Sequence, residues 1–302
     1  MKLKLPKYIS TDFDTLPDEK GLGKMQVTER ERYFFDLNGF LLLKGALSPG
    51  EVADINAAID ALLPVQPGEW KGYVHGHTYG DDDGINLQQI YEGGAAFEKL
   101  IDHPSWIEKV KHFVGGAETF DYNHGPLFID ECFANVRGPG EAIGLHSGGH
   151  EGTKRTQFRY YNGRFHCGQI NILMALTDIG PGDGNTMVVP ASHKAHFPHP
   201  DEGKHGMGRE VASVDDVEGA VNVYMDAGDV LLFVDALCHG SAERVNPGER
   251  RIIVFRYGPS WGNFRFGYQV SDELVERLTP ERQQIVRPNP PLLPGLDRSR
   301  YA

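Results

Sequence analysis

Apolar and polar positions along this chain change their period once. Behind Ser48-Pro49-Gly50-Glu51, a capping box with proline at the first helical position, Val52, Ile55, Ile59 and Leu62 recur at helical spacing and predict a helix. A charged helical pattern over Val27 to Leu37 leads into the compact apolar run Gly39-Phe-Leu-Leu-Leu-Lys44, a strand candidate. A further helical stretch is expected from roughly Ala95 to Phe113, broken near Pro104. Residues 64–86 crowd glycine, tyrosine and aspartate around His75 and His77 without a sustained period, and are expected to form a long lid or binding loop.

From Glu118 onward the pattern turns to β. Pro126 to Val136, Gly168 to Thr177, Asn185 to His193, Gly228 to Phe233 and Arg251 to Arg256 read as short strands, and Gly180-Pro-Gly-Asp-Gly184 as a turn. Period-2 alternation sets Gln169, Asn171 and Leu173 on one face and Ile170, Ile172 and Met174 on the other, so one face is polar enough to line a cavity. Many short strands between glycine turns, preceded by helices, predict a mainly β sandwich or barrel with flanking α-helices. The expected organisation is a single domain over 1–302. It comprises an N-terminal arm (1–25), helical support with the lid loop (26–116), a β core (117–260), and a C-terminal helix with an irregular, proline-rich tail (261–302).

Composition narrows the class of function. With 40% hydrophobic and 24% charged residues, 302 residues bury an ordinary globular core. A net charge of −12 argues against a nucleic-acid polymer or an anionic membrane as partner, and leaves room for a small anionic ligand in a local basic pocket. The expected partner is a small-molecule substrate; these features set no oligomeric state. Cys132, Cys167 and Cys238 show no CxxC spacing, the N-terminus carries no apolar signal region, and no run of about 18 apolar residues occurs, so the expected location is the cytoplasm.

The candidate chemistry gathers on two histidines. His146, in Gly144-Leu-His-Ser-Gly-Gly-His150, and His239, in Cys238-His-Gly-Ser241, each end a short β-like run, a layout for two imidazoles meeting across a barrel. Two neutral imidazoles and a carboxylate make the facial triad that holds Fe(II), with open positions for a keto acid and O₂. Here Gly148 stands where the carboxylate of a His-x-Asp motif would be. Arg250-Arg251 runs straight into Ile-Ile-Val-Phe, which makes one arginine face inward; a buried Arg250 would fork onto a dicarboxylate, whereas its alternative is a surface cation beside Glu249. Other readings stay open: hydrogen-bonded histidines at a barrel rim, a zinc hydrolase built on His146, His150 and His239, and a weak metal site at His75-Gly76-His77.

The ordered set Gly39-Phe-Leu-Leu-Leu-Lys-Gly45, Gly180-Pro-Gly-Asp-Gly-Asn-Thr-Met-Val-Val-Pro-Ala-Ser-His-Lys194, Gly228-Asp-Val-Leu-Leu-Phe233 and His239-Gly-Ser241 followed by Arg250 resembles the phytanoyl-CoA dioxygenase family of Fe(II)/2-oxoglutarate enzymes. The resemblance covers most of residues 30–260. It implies a double-stranded β-helix (jelly-roll, cupin-like), His146 and His239 on iron, Arg250 on the distal carboxylate of 2-oxoglutarate, and Ser241 assisting Arg250. Gln169 and Asn171, on the polar face, are further candidates for the co-substrate pocket.

Gly148 departs from the family pattern, and its His-x-Gly form resembles the metal motif of iron-dependent halogenases. That resemblance implies a halide in the vacancy. Fe²⁺, two neutral imidazoles and a 2-oxoglutarate dianion sum to zero, and chloride restores the single negative charge of the missing carboxylate. The function so implied is radical chlorination of an unactivated C–H. The alternatives are a hydroxylase whose third ligand is water or one of Asp130, Glu131 and Glu151, and a non-catalytic cupin-like module. For the substrate, Lys154, Arg155, Arg159 and Arg164 with Tyr73, His75, His77 and Tyr79 suggest an anionic, ring-bearing molecule such as a nucleotide, or else a solvated basic loop.

Overall fold

A computed structural model describes residues 27–80, 83–115, 125–147, 154–201, 217–260 and 270–287. The capping box read at Ser48 forms, and Thr28 supplies a second one that the charged pattern over Val27 to Leu37 does not single out. Thr28 and Ser48 each accept a hydrogen bond from the backbone N–H three residues on and receive the reciprocal glutamate, Glu31 and Glu51, opening helices α1 (Glu29–Asn38) and α2 (Pro49–Leu62). Each such cap contributes about 1 kcal/mol. Val52, Ile55 and Ile59 form the buried stripe of α2. Short helices α3 (Ala95–Glu98) and α4 (Ile107–Val114) follow on either side of Pro104.

Fourteen strands are present among the described residues: β1 (Phe40–Leu43), β2 (Trp70–Lys71), β3 (Val74–His77), β4 (Ile85–Gln88), β5 (Leu127–Arg137), β6 (Ile143–His146), β7 (Phe158–Tyr161), β8 (Arg164–Cys167), β9 (Ile170–Ala175), β10 (Thr186–Val188), β11 (Val221–Val223), β12 (Val230–Val234), β13 (His239–Ser241) and β14 (Arg250–Pro259). Eight form one antiparallel sheet in the order β1-β12-β9-β14-β5-β4-β3-β2, four form a second in the order β11-β10-β13-β6, and β7-β8 is a separate hairpin. Two antiparallel sheets facing each other, with helices outside, make the jelly-roll of a double-stranded β-helix.

Residues 64–86 are not the long loop expected. Strands β2, β3 and β4 add three members to the edge of the large sheet. These strands are two to four residues long, and left-handed glycines at 68, 72 and 84 punctuate them, so no period is sustained. Gly84 is needed twice over: its φ is +71, and a side chain there would collide with the Val136 carbonyl of β5. The tail also carries more order than its prolines suggest. Helices Asp272–Arg277 and Pro280–Val286 dock Leu274, Ile285 and Val286 into the core; Thr279-Pro280 supplies the cap and first-turn proline of the second. The N-terminal arm and the residues beyond Arg287 lie outside the described residues.

The two faces of the large sheet have different jobs. On the outer face Phe255, Tyr257, Ile172 and Met174 are fully buried under the helices, with the Tyr257 hydroxyl reaching the Leu100 and Ile101 carbonyls at 3.0 Å and Trp106 Nε1 donating to it at 3.3 Å. Arg251 points the same way, to Asp60 of α2 at 2.7 Å. On the inner face, register places Arg250, Ile252, Val254 and Arg256 of β14 beside Arg137, Asn135, Phe133 and Glu131 of β5, and beside Ala175, Leu173 and Asn171 of β9. This face turns toward the small sheet, since Arg250 reaches Ser241 and Phe233 lies against His239. None of the described helices is long and apolar enough to cross a membrane.

Candidate active site

His146 ends β6 and His239 begins β13, and the ladder between those strands sets the two residues directly opposite each other. Their ring centroids are 4.0 Å apart. Each imidazole turns its Nδ1 to a backbone carbonyl two residues earlier, His146 to Gly144 O at 3.0 Å and His239 to Leu237 O at 2.7 Å. A carbonyl only accepts, so both Nδ1 atoms carry the proton and both Nε2 atoms carry the lone pair. This fixed tautomer is what a two-histidine metal site requires. Burial, and then the neighbouring His146, hold the His239 imidazole well below its usual pKa, so it is neutral at physiological pH. Ser147, next after His146, takes a left-handed backbone with φ 60.

Below the histidines lies the cationic end of the inner face. Arg250, 3% exposed, donates to Ser241 Oγ at 3.1 Å, to Asn135 Oδ1 at 3.0 Å and to the Gly184 carbonyl. Arg137, fully buried, donates to the same Ser241 Oγ at 3.1 Å, and Ser241 in turn donates to Gly184 O at 2.9 Å. Arg250 has no carboxylate partner among the described residues, and its Nε is buried without a hydrogen bond. Burial, then Arg137 and Arg244, push its guanidinium down to about 9. A cation held this way is matched by a dianion, and the residues present therefore fit 2-oxoglutarate at Arg250 as they fit iron at the histidines.

The structure brings together His146, His239, Ser241 and Arg250, as expected, and adds Arg137 and Asn135. It does not bring Gln169 and Asn171 to Arg250. The antiparallel pairing of β9 with β14 puts Asn171 opposite Arg256, six residues further along, where it donates to Asp235 Oδ1 at 3.1 Å; Gln169 donates to Asp130 Oδ2 at 3.1 Å. Asp130 and Glu131 are thus engaged elsewhere, Glu131 with Arg256 at 3.3 Å and with the Tyr79 hydroxyl at 2.8 Å. Among the described residues no third His, Cys, Asp or Glu joins the histidine pair. Gly148, His150 and Glu151 lie outside the described residues.

Of the residues expected to hold a substrate, His75, His77 and Tyr79 line the inner face at the sheet edge, with ring centroids 6.2 Å and 4.5 Å apart in turn. Arg155 reaches Asp235 at 3.6 Å. Arg159 is exposed on the β7-β8 hairpin opposite His166, and Lys154 opens a 3-10 turn.

A jelly-roll whose interior presents two tautomer-fixed histidines at one level and a buried arginine below them defines the class of metal- and keto-acid-binding oxygenases. The sequence profile of the phytanoyl-CoA dioxygenase (PhyH) family matches residues 35–252, and the chain belongs to that family, within the Fe(II)/2-oxoglutarate-dependent oxygenases. HygX from Streptomyces hygroscopicus, solved with nickel and 2-oxoglutarate bound, is 25% identical over 82% of this chain and 94% of its own, with a TM-score of 0.63. The peroxisomal phytanoyl-CoA dioxygenase of Rattus norvegicus is 24% identical over 76% of this chain and 68% of its own. The dioxygenase cdmD of Talaromyces verruculosus is 28% identical over 118 residues, a match that spans 35% of that protein and 39% of this one.

Proposed function

We propose that this enzyme is a radical halogenase that replaces an unactivated C–H of a small molecule by C–Cl, with chloride on iron in place of the missing carboxylate. The observation that supports this reading is the contrast at the metal centre. His146 and His239 stand opposite each other and Arg250 is buried nearby, while in sequence a glycine follows two residues after His146 where the motif has a carboxylate, and Asp130 and Glu131 are bonded elsewhere.

His146 and His239 would hold iron through Nε2, and Arg250 with Ser241 would hold the distal carboxylate of 2-oxoglutarate. Iron with 2-oxoglutarate and O₂ supplies the oxidant for the C–H bond, and chloride supplies the atom returned to carbon. Overall the C–H, chloride, one proton, 2-oxoglutarate and O₂ give C–Cl, succinate, CO₂ and water. The chain's own contribution is orientation. The carbonyls of Gly144 and Leu237 keep the imidazoles neutral and aimed, Ile252, Val254 and Leu173 give the middle of the inner face an apolar lining, and no side chain has to act as general base.

The test is an anaerobic titration with Fe(II) and 2-oxoglutarate, following the visible charge-transfer band with and without chloride. A band position or 2-oxoglutarate affinity that responds to chloride is expected. A band indifferent to chloride would return the enzyme to a hydroxylase with water or Glu151 as third ligand.

A further inference from the structure

Beyond the histidine pair, the inner face ends in a second polar cluster that the iron chemistry does not use. Asn171 and Arg256 face each other across β9 and β14, Glu131 lies opposite Arg256 on β5, and Phe233, paired with Asn171, touches His239 at 4.7 Å. Phe233 thus joins this cluster to the reaction centre. We propose that it is the recognition wall for an uncharged, hydroxyl-bearing ring molecule of sugar or nucleoside type, with Asn171 and Arg256 orienting it. The inference rests on the histidine pair being the metal centre; it does not depend on the halide.

Orphaned polar atoms point to the ligand. Asn171 is 1% exposed; its Nδ2 is committed to Asp235, which turns its Oδ1 the other way, and that Oδ1 has no hydrogen-bond partner. Arg256 Nε lies in ion-pair range of Glu131 and likewise makes no hydrogen bond. An acceptor and a donor left dry side by side ask for a molecule carrying both kinds of group. Hydroxyls and ring nitrogens carry both.

Charge selects against ions. Among the described residues each carboxylate of the wall already faces a guanidinium, Glu131 with Arg256 at 3.3 Å and Asp235 with Arg155 at 3.6 Å. A phosphate would meet Glu131 and Asp235, and a cation would meet Arg155 and Arg256, so an uncharged ligand is admitted with least repulsion. Arg155, expected to pair with phosphate, is thereby engaged.

The approach to the wall is aromatic. Trp70, half exposed, lies 4.6 Å from His75, and His77 lies 4.5 Å from Tyr79, all on the inner face or its edge. The Tyr79 hydroxyl donates to Glu131 Oε1 at 2.8 Å and accepts from Gln88 Nε2 at 3.0 Å, joining the strip to the wall. Flat faces of this kind stack on sugar or base rings.

The experiment is calorimetric titration of the protein loaded with nickel(II) and 2-oxoglutarate, which does not turn over. The probes are a panel of nucleosides and methyl glycosides, each paired with its monophosphate. At least one uncharged probe should bind at least tenfold tighter than its phosphate. Asn171→Leu should weaken it at least tenfold and Tyr79→Phe severalfold, both with 2-oxoglutarate affinity unchanged. Equal or tighter binding of the phosphates, no binding of any uncharged probe, or indifference to both substitutions would overturn the proposal. Failure of 2-oxoglutarate to bind the nickel-loaded parent would instead count against the metal-centre reading.

Discussion

Arg137 and Arg250 stand directly opposite each other on β5 and β14 and both donate to the hydroxyl of Ser241 at 3.1 Å. Two buried guanidiniums sharing one neutral acceptor repel each other, and a dianion between them would relieve that repulsion. The pocket is thus organised around a ligand charge that the described residues do not supply to Arg250.

Removing that cation should remove the co-substrate. Arg250→Gln should lower 2-oxoglutarate affinity on the order of a hundredfold, as loss of charge-assisted hydrogen bonds worth about 3 kcal/mol implies. Arg137→Gln, acting through Ser241, should cost about tenfold. Calorimetry on nickel-loaded protein reads both. In thermal denaturation, 2-oxoglutarate at a hundred times its Kd should stabilise the parent by about 2.7 kcal/mol and leave Arg250→Gln unmoved. Unchanged binding by Arg250→Gln would remove the arginine from the site.

Gly148→Asp restores a carboxylate two residues after His146. If chloride fills that position in the parent, the variant should lose the chloride response of its charge-transfer band, and its product should shift toward hydroxylation or vanish. A variant whose band still answers to chloride as the parent's does would sink the halide reading.

Stability should depend on His193. Burial first, and then Lys194, push its imidazole down to about 4, against a bond to the Asp36 carbonyl that raises it. In the unfolded chain it titrates near 6.5, so between these values the unfolded state binds the extra proton. The contribution is fully present above pH 6.5 and is lost as pH falls toward 4, up to about 3 kcal/mol in all. Denaturant midpoints at pH 7.5, 6 and 4.5 should fall in the parent and fall less in His193→Gln. Parallel curves would contradict the assignment.

Much of this architecture was legible because local signals and global fold agree. The capping box at Ser48, period-2 alternation through Asn171, and the Arg250-Arg251 pair each point where the structure puts them. Counting by two from Arg250 would also have found Arg256 on the same face, and the lone Arg137 before Gly138-Pro139-Gly140 was a cation closing an apolar strand. What stayed illegible depends on partners distant in sequence. Strands β2 to β4 are too short to show a period and become strands by pairing onto β5. Asn171 was assigned to the co-substrate because alternation gives its face, but only the β9-β14 register tells which end of that face it occupies.

Gly39 tests how tightly α1 is tied to the site's own sheet. It caps α1 with φ 83 and leads directly into β1, and a Cβ there would lie 2.5 Å from Nδ1 of buried His193. His193 is held on its other side by Phe158 in an edge contact at 4.4 Å and by the Asp36 carbonyl at 3.1 Å, so it has little room to retreat. Gly39→Ala therefore combines a left-handed backbone penalty of about 1–2 kcal/mol with an overpacking cost of about 1–3 kcal/mol. Urea denaturation should show a loss of at least about 2 kcal/mol. Adding His193→Ala, which opens the space, should recover the steric part and leave the backbone part, so a double variant no more stable than additivity predicts would refute the contact.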